Sequence, residues 1–335
     1  MGMKKQDLVN AILGERCSLA ACRDQGRAFA PTNIALCKYW GKRDAELNLP
    51  QTSSLSISLG DKGALCQLRP RAQSDSFSLN GQSMALVSPF GQRLKAFLDL
   101  FRIKHDFYFQ VDMQMNIPYA AGLASSACGF ASLVLALNDL LAWGLESRAL
   151  SILARLGSGS ACRSVVPGFV EWRAGSSADG MDSYAERLDE NWPTLCIGLL
   201  IVSEREKPLA SRLAMERTVA TSALYSAWPE KVRADLHCLK KAIKEQDFRL
   251  LGETAESNAL NMHALMLSAW PPISYALPET LTAMQSVWKL REQGLLVYFT
   301  QDAGPNLKLL FQAQDREQVS AAFPSAEIIQ PQLIE

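Results

Sequence analysis

From Phe107 to Trp143 the chain sets out an alternating strand, a loop of small residues and an apolar helix, and the other elements must be arranged around that unit. Phe107, Phe109, Val111, Met113, Met115 and Ile117 alternate with Tyr108, Gln110, Asp112, Gln114 and Asn116. A period of two is that of a half-buried β-strand. Ala127 to Trp143 is apolar almost all round and reads as a buried helix. Between them, Pro118-Tyr-Ala-Ala-Gly-Leu-Ala-Ser-Ser-Ala-Cys-Gly129 carries Gly122, Ser125 and Ser126. Small side chains let backbone N–H groups approach an anion, and the helix N-terminus behind them carries a partial positive charge. The same residues suit an ordinary capped helix, since Ser is a favoured N-cap. Taken alone, the loop supports both.

A chain of 335 residues is long for one domain and comfortable for two. Its formal net charge is zero, with 48% apolar and 20% charged residues. Such a balance offers no general attraction to nucleic acid or to an acidic membrane, so any basic site must come from local placement. The eight cysteines (17, 22, 37, 66, 128, 162, 196 and 238) show no CxxC and no paired metal spacing. Several lie in apolar or helical stretches, where a thiol acts as a small hydrophobe. No signal peptide is read at the N-terminus, so a reducing cytoplasm is expected. No apolar run reaches the roughly 18–20 residues of a membrane span. His105, His237 and His263 form no ligand cluster, and a zinc site is not expected.

Residues 1–26 read as a helical extension with Leu8, Ile12 and Leu13 on one face, to be packed on the body or used in a dimer contact. Ala28–Tyr39 reads as a strand entering a turn. Thr52–Leu59, with leucines and isoleucine alternating with serines, reads as a half-exposed strand. Strands follow at 64–68 and 76–79, and Asn80-Gly81 signals a hairpin. Leu86–Ile103 has helical periodicity, with Pro89 near its start where proline is tolerated. Glu146–Leu156 is a helix and Phe169–Trp172 a strand. A composition shift over 176–191 suggests a boundary between domains at 27–190 and 191–335. Thr194–Val202 reads as a strand buried on both faces. Helices are expected near 209–226, 229–243, 246–267 and 278–293, the last closed by Gly294. A strand at 295–300, a short helix and a terminal strand complete an α+β chain.

Four segments combine small residues with isolated charges at element boundaries. In Pro31–Lys42, Lys38 and Lys42 have no acid between them, while Tyr39 and Trp40 argue against a merely solvated turn. The second segment is the Pro118–Gly129 loop. In Gly157–Ser164, Ser158, Ser160 and Arg163 suit phosphate or carboxylate recognition, although glycine and serine also simply make turns and Arg163 could serve a structural ion pair. In Asp302-Ala-Gly-Pro-Asn306 the aspartate is a turn cap or a catalytic carboxylate, and capping is the commoner use.

In this order the segments resemble the mevalonate diphosphate decarboxylases of the GHMP kinase superfamily, from about residue 28 to 310. The carrying runs are N-I-A-L-C-K-Y-W-G-K-R-D (33–44), L-P-Q-T-S-S-L-S (49–56) and P-Y-A-A-G-L-A-S-S-A-C-G (118–129). G-S-G-S-A-C-R-S (157–164), M-H-A-L-M-L-S-A-W-P-P-I-S-Y (262–275) and D-A-G-P-N (302–306) continue the match. Tyr119 stands where the family loop usually has a small Thr, Cys128 where Ala is common, and Gln301 where an apolar residue is usual. The N-terminal extension lies outside the family core.

The resemblance implies a two-lobed GHMP-kinase-like fold. Its N-terminal lobe would be β-rich and carry a phosphate loop; its C-terminal lobe would combine helices with a sheet. It implies an ATP-dependent enzyme that decarboxylates mevalonate 5-diphosphate to isopentenyl diphosphate, after phosphorylating the tertiary hydroxyl. Asp302, Lys38 and Arg163 are the catalytic set it implies, Arg163 also holding the substrate carboxylate. Tyr39, Lys42, Ser158, Ser160, Arg212 and Met215 would bind the diphosphate end, the last two lying in Ser211-Arg-Leu-Ala-Met215. Gly122, Ser125, Ser126 and Ser211 would hold ATP, with Mg²⁺ arriving on the nucleotide and no protein metal cage. A homodimer is implied, with neither nucleic-acid nor membrane partners. The alternatives are a decarboxylase of mevalonate 5-phosphate and a mevalonate kinase that stops at phosphorylation. A catalytically silent small-molecule sensor would be expected to lose these charges, which are retained.

Overall fold

The computed structural model describes residues 2–16, 22–117, 125–205 and 207–331. The N-terminal half opens with helix α1 (Lys5–Leu13) and strands β1 (Gly26–Cys37), β2 (Lys42–Asp44), β3 (Leu49–Pro50) and β4 (Ser54–Arg71). Strands β5 (Ser76–Leu79) and β6 (Gln82–Met84), helix α2 (Pro89–Leu98), strand β7 (Tyr108–Met115) and helices α3 (Ser125–Leu140) and α4 (Ser147–Gly157) follow. Strands β8 (Phe169–Trp172) and β9 (Ala185–Arg187) close this half. The C-terminal half runs β10 (Leu195–Leu200), then helices α5 (Ser211–Thr221), α6 (Trp228–Glu245), α7 (Phe248–Leu267) and α8 (Pro278–Glu292). It ends with β11 (Tyr298–Gln301), β12 (Leu307–Gln312), α9 (Arg316–Ala322) and β13 (Glu327–Ile329).

β4 organises the N-terminal sheet. The two strands read at 52–59 and 64–68 are one 18-residue strand. Gly60 takes φ 56° within it. Gly63 comes so close to β1 that a Cβ there would stand 2.1 Å from the Ala30 carbonyl oxygen. Its first residues pair with β8, its last with β7, and β1 follows it along both parts with a register shift between Pro31 and Asn33. The sheet order is β6-β5-β7-β4-β8-β9, with β1 also on β4. The half-exposed strand expected at 52–59 is instead buried from Ser54 to Gly60. Its serines are spent inside: Ser54 and Ser56 accept from the Arg163 guanidinium, and Ser58 Oγ accepts from the Gly168 N–H. Alternation marked two faces; a buried polar partner on the second face kept water out.

β7 alternates as its sequence requires, and α3 lies behind it with eleven buried residues, from Ala127 to Leu140. Helix α2 begins at Pro89 rather than Leu86, because Ser88 Oγ accepts from the Gly91 N–H and sets the N-cap there. The helix expected at 209–226 stops at Thr221, and a separate 3₁₀ turn, Tyr225–Ala227, leads into α6. Gly294 lies just past α8 at φ 96°, where its freedom is needed. The extension packs on the body: Leu8, Val9, Ile12 and Leu13 join Leu47, Leu49, Phe97 and Phe101 in the N-terminal core.

The C-terminal sheet has the order β11-β12-β10-β13, and all six residues of β10 are buried, as expected for a strand covered on both faces. Ile34, Leu36, Ile57 and Phe169 of the first sheet share one apolar core with Leu195, Ile197 and Leu199 of β10 and with Leu239, Leu251 and Tyr298. That shared core carries the end of β1 into the C-terminal half. There the site forms.

Candidate active site

Lys38 follows the last residue of β1 and is 2% exposed. Its backbone N–H donates to Asn258 Oδ1 at 2.8 Å, and Asn258 Nδ2 donates to Asp235 Oδ2 at 2.8 Å. Its Nζ donates to the Ala35 carbonyl at 2.9 Å and to Asp302 Oδ1 at 2.7 Å. Lys308, on β12 and 1% exposed, brings its Nζ within 3.0 Å of Asp302 Oδ2. One carboxylate therefore sits between two buried ammonium groups, with 21% of its side chain open. Burial pushes the Asp302 carboxyl up, but Lys308 and Lys38 together outweigh it and hold the group well below the usual carboxylate range. Burial also pulls Lys38 down to about 8, against the opposing pull of Asp302. The fold thus gives the Asp302 side chain two cationic partners.

The turn carrying Asp302 is fixed from several sides. Gln301 Nε2 donates to the Gly304 carbonyl at 2.8 Å, so the polar residue preceding the aspartate closes the turn. His263 Nε2 lies 3.1 Å from the Asp302 carbonyl oxygen. A carbonyl only accepts, so Nε2 carries the hydrogen. Burial, aided by Lys38, lowers the imidazole to about 4 and leaves it neutral at pH 7. Lys207 Nζ donates to the Ala303 carbonyl at 3.2 Å and to Ser211 Oγ at 2.7 Å, which ties the start of α5 to this turn.

Arg163 lies on a 3₁₀ helix, Gly159–Ser164, and is 3% exposed. Its Nε and Nη1 donate to Ser56 Oγ at 3.1 Å and Ser54 Oγ at 2.6 Å, and Nη2 to Asn33 Oδ1 at 3.3 Å. Asn33 is held in turn by donating to Ser164 Oγ at 2.7 Å. Among the described residues Arg163 bonds to hydroxyl and amide oxygens and to no carboxylate. Hydroxyl and amide oxygens orient the guanidinium without cancelling its charge. That leaves a buried cation able to attract an anion.

A serine chain bridges two elements: Ser126 Oγ lies 3.3 Å from Ser158 Oγ, which lies 3.4 Å from Ser160 Oγ. Tyr39 packs edge-on against Trp172 with ring centroids 4.7 Å apart, and a Cβ on Gly159 would stand 2.8 Å from the Tyr39 ring. The Tyr39 hydroxyl is buried with no partner in the described protein. An orphaned hydroxyl of this kind fits a ligand oxygen. Lys42 Nζ donates to Asn48 Oδ1 at 2.7 Å, while Asn48 Nδ2 donates to the Arg155 carbonyl at 2.9 Å. Burial, then repulsion from Arg212, lowers Lys42 to about 8. Gly41, at φ 112°, lies against Tyr225, where any Cβ would collide with the phenol oxygen. Met215 is 6% exposed on the first turns of α5, beside Arg212.

The fold thus brings Lys38 and Asp302 into contact, with Arg163 close enough for its charge to act on Lys38 and that of Asp302 on it. It places Tyr39, Ser158 and Ser160 together, and Lys42 near Arg212. Ser125 and Ser126 start α3. Gly122 and the 118–124 loop lie outside the described residues. The sequence reading gave no role to Lys308, Lys207, Asn33 or His263. Only Lys308 carried a local signal, as the lone charge in Leu307-Lys-Leu-Leu-Phe311. Among the described residues no three His, Cys, Asp or Glu converge as a metal site. Every cysteine among them is unpaired, and no helix is long and apolar enough to cross a membrane.

The chain is similar to known proteins over most of its length. Residues 30–185 match the diphosphomevalonate decarboxylase-like N-terminal domain, and residues 197–331 match the mevalonate 5-diphosphate decarboxylase C-terminal domain. The chain is 37% identical over 308 residues to the diphosphomevalonate decarboxylase of Candida albicans, covering 87% of this chain and 85% of the relative. A solved structure described as MDDEF in complex with MVAPP, AMPPCP and magnesium superposes with a TM-score of 0.86. It is 40% identical and covers 91% of this chain and 96% of its own. The mevalonate diphosphate decarboxylase from Enterococcus faecalis superposes with a TM-score of 0.84 at 39% identity, with coverage of 91% and 96%. The two-lobed α+β fold is the one these structures share.

Proposed function

Because the chain belongs to the mevalonate diphosphate decarboxylase family, we propose that its chemistry is centred on the Asp302 carboxylate held between Lys38 and Lys308. The reaction is the ATP-dependent decarboxylation of mevalonate 5-diphosphate to isopentenyl diphosphate, with ADP, phosphate and carbon dioxide released. That ion-paired carboxylate is the observation that carries the residue assignments.

The departing carboxylate lies β to a tertiary alcohol, so no carbonyl can absorb its electrons. The hydroxyl oxygen first attacks the γ-phosphorus of ATP, its proton passing by way of the Asp302 carboxylate to solvent as ADP leaves. The C–O bond then breaks, phosphate departs with the electron pair, and positive charge develops at the tertiary carbon. Electrons from the bond to the carboxylate form the alkene as carbon dioxide leaves. An Asp held below the ordinary range is a weak base. Its work is therefore alignment of the hydroxyl and stabilisation of the developing cation as much as removal of the proton. Lys38 neutralises the transferring phosphoryl group. Arg163, with its planar fork, takes the substrate carboxylate. The orphaned Tyr39 hydroxyl, Lys42, Ser158, Ser160, Arg212 and Met215 take the 5-diphosphate. Gly122, Ser125, Ser126 and Ser211 take ATP. Mg²⁺ would arrive on the nucleotide and lend its phosphate oxygens positive charge.

Residues 27–190 form the nucleotide-binding domain and 191–335 the second, a division supported by the two domain matches. The protein acts in the cytoplasm, in isoprenoid and hence lipid biosynthesis, as a homodimer. An exposed apolar stretch containing Leu267, Trp270, Leu277 and Leu281 supports self-association, and sedimentation velocity showing only monomer would remove that part of the reading.

The assay that tests the function supplies mevalonate, its 5-phosphate and its 5-diphosphate in parallel, with ATP use coupled and carbon dioxide trapped. Matching ATP consumption and carbon dioxide from the diphosphate alone is expected. ATP use without carbon dioxide would mean a kinase, and carbon dioxide mainly from the monophosphate would change the substrate.

A pH dependence also follows. Lys38 and Lys42, each lowered to about 8, are cations below that value and neutral above it. The kcat/KM for the phosphorylated substrate, which reports the free enzyme, is expected to fall as pH rises through about 8. A plateau extending more than about one pH unit beyond that would count against charged lysines in binding.

A further inference from the structure

Helix α1 begins with a charged residue, Lys5, whose position the packing of the helix fixes. Leu8, Val9, Ile12 and Leu13 are buried in the same core as Leu47 and Leu49, which belong to the β2–β3 hairpin. The Lys5 backbone N–H lies 3.5 Å from Glu46 Oε1, in the turn of that hairpin, and Gln6 Nε2 donates to the Leu100 carbonyl at 3.1 Å. The same hairpin opens with Lys42, whose Nζ is held by Asn48. Asn48 and Arg93, in turn, bond the last carbonyls of α4: Asn48 Nδ2 reaches Leu156 O at 3.2 Å and Arg93 Nη2 reaches Gly157 O at 3.3 Å. The residue after Gly157 is Ser158. Three elements thus meet at one end of α4, α1 with Lys5, the hairpin with Lys42 and α2 with Arg93, and Arg212 of α5 acts electrostatically on Lys5 and Lys42.

We propose that Lys5 is a substrate-binding residue, and that α1 is a wall of the diphosphate pocket that supplies a cation to the terminal phosphate. This rests on the diphosphate-binding role assigned above to Lys42 and Arg212. Burial lowers Lys5 from its ordinary value; Glu46 opposes this, and Arg212 and Arg93 add to it. Lys42 is lowered in the same way, with Arg212, Lys5 and Arg93 all acting against its charge and Glu216 for it. Cations that repel one another at a half-buried place are stabilised when a polyanion enters. The diphosphate carries about one more negative charge than a monophosphate, so the extra cation favours it. The family's N-terminal domain match begins at residue 30, and α1 precedes it.

Lys5→Met removes the charge and keeps the length of the stem on a half-buried first turn. The KM for mevalonate 5-diphosphate is expected to rise about 5–10-fold, with kcat and the KM for ATP within about twofold. Preference for the diphosphate over the monophosphate should shrink by the same factor, and Lys5→Arg should restore most of it. Equal losses for both substrates, or no change in KM, would overturn the proposal. Inorganic pyrophosphate, titrated calorimetrically into the free enzyme, tests it without turnover. Binding by the native chain that weakens in Lys5→Met supports the wall, whatever the assay of the function returns. Unchanged or undetectable pyrophosphate binding overturns it, even if the enzyme decarboxylates as assigned. Melting temperatures of the two variants, matched to the native chain, keep a folding defect from imitating the effect.

Discussion

Asp302→Asn is expected to lower turnover by about 10³-fold or more while leaving the affinity for ATP within about threefold. The amide keeps the shape of the carboxylate but not its charge. It can neither receive the tertiary hydroxyl's hydrogen bond as an anion nor face the carbocation that forms when phosphate leaves. The nucleotide is assigned to Ser125, Ser126 and Ser211, and the substitution alters none of these directly. A second consequence follows from the pairing. Lys38 and Lys308 are 2% and 1% exposed, so the variant leaves two buried ammonium groups without their shared counter-ion. Breaking a buried pair of this kind costs roughly 3 kcal/mol, and the residual 21% exposure of Asp302 works to reduce that. A drop in melting temperature is therefore expected as well, and ATP affinity must be read well below it. Loss of ATP affinity on the same scale as the loss of rate, in a protein still folded, would remove Asp302 from the chemistry.

Arg163→Ala separates the two substrates instead. The guanidinium is placed by Ser54, Ser56 and Asn33 and is balanced by no ion pair among the described residues. Its removal should lower kcat/KM for mevalonate 5-diphosphate by about 10²-fold, with the KM for ATP within about twofold. It also strands two hydroxyls and an amide oxygen in the interior, which costs about 1–3 kcal/mol for a buried group left unsatisfied. A general loss of structure would impair both substrates together, so the ratio of the two effects is the quantity to measure. Arg163→Lys provides the second reading. It restores charge without the two-pronged geometry, and it should recover stability more than substrate use. Equal effects on ATP and on the phosphorylated substrate would rule out carboxylate recognition by this residue.

Local pattern carried much of the architecture. Alternation over 107–117 and the apolar run after Ala127 correctly placed β7 and α3, because both elements are decided by which faces meet the core. Gly294 marked the end of α8 because a positive φ is a local requirement. The same kind of reading failed at Ser54–Leu59. Serines alternating with leucine look solvated until a guanidinium from more than one hundred residues later fills the space beside them. It also left α1 undecided, since an apolar helix face says that something is covered and not what covers it.

The site divides along the same line. Lys38, Arg163 and Asp302 were legible as isolated charges among small residues, in runs that resemble one family. Their chemistry was not. That Asp302 is held between two charges depends on Lys308, which a strand partner chosen by sheet topology delivers to its second oxygen. The runs that resemble one family were written in the sequence, and the fold class and the reaction were what that resemblance implied. The tertiary structure alone decided which charges are neutralised and which are kept open, because burial and pairing are properties of residues distant in sequence and adjacent in space.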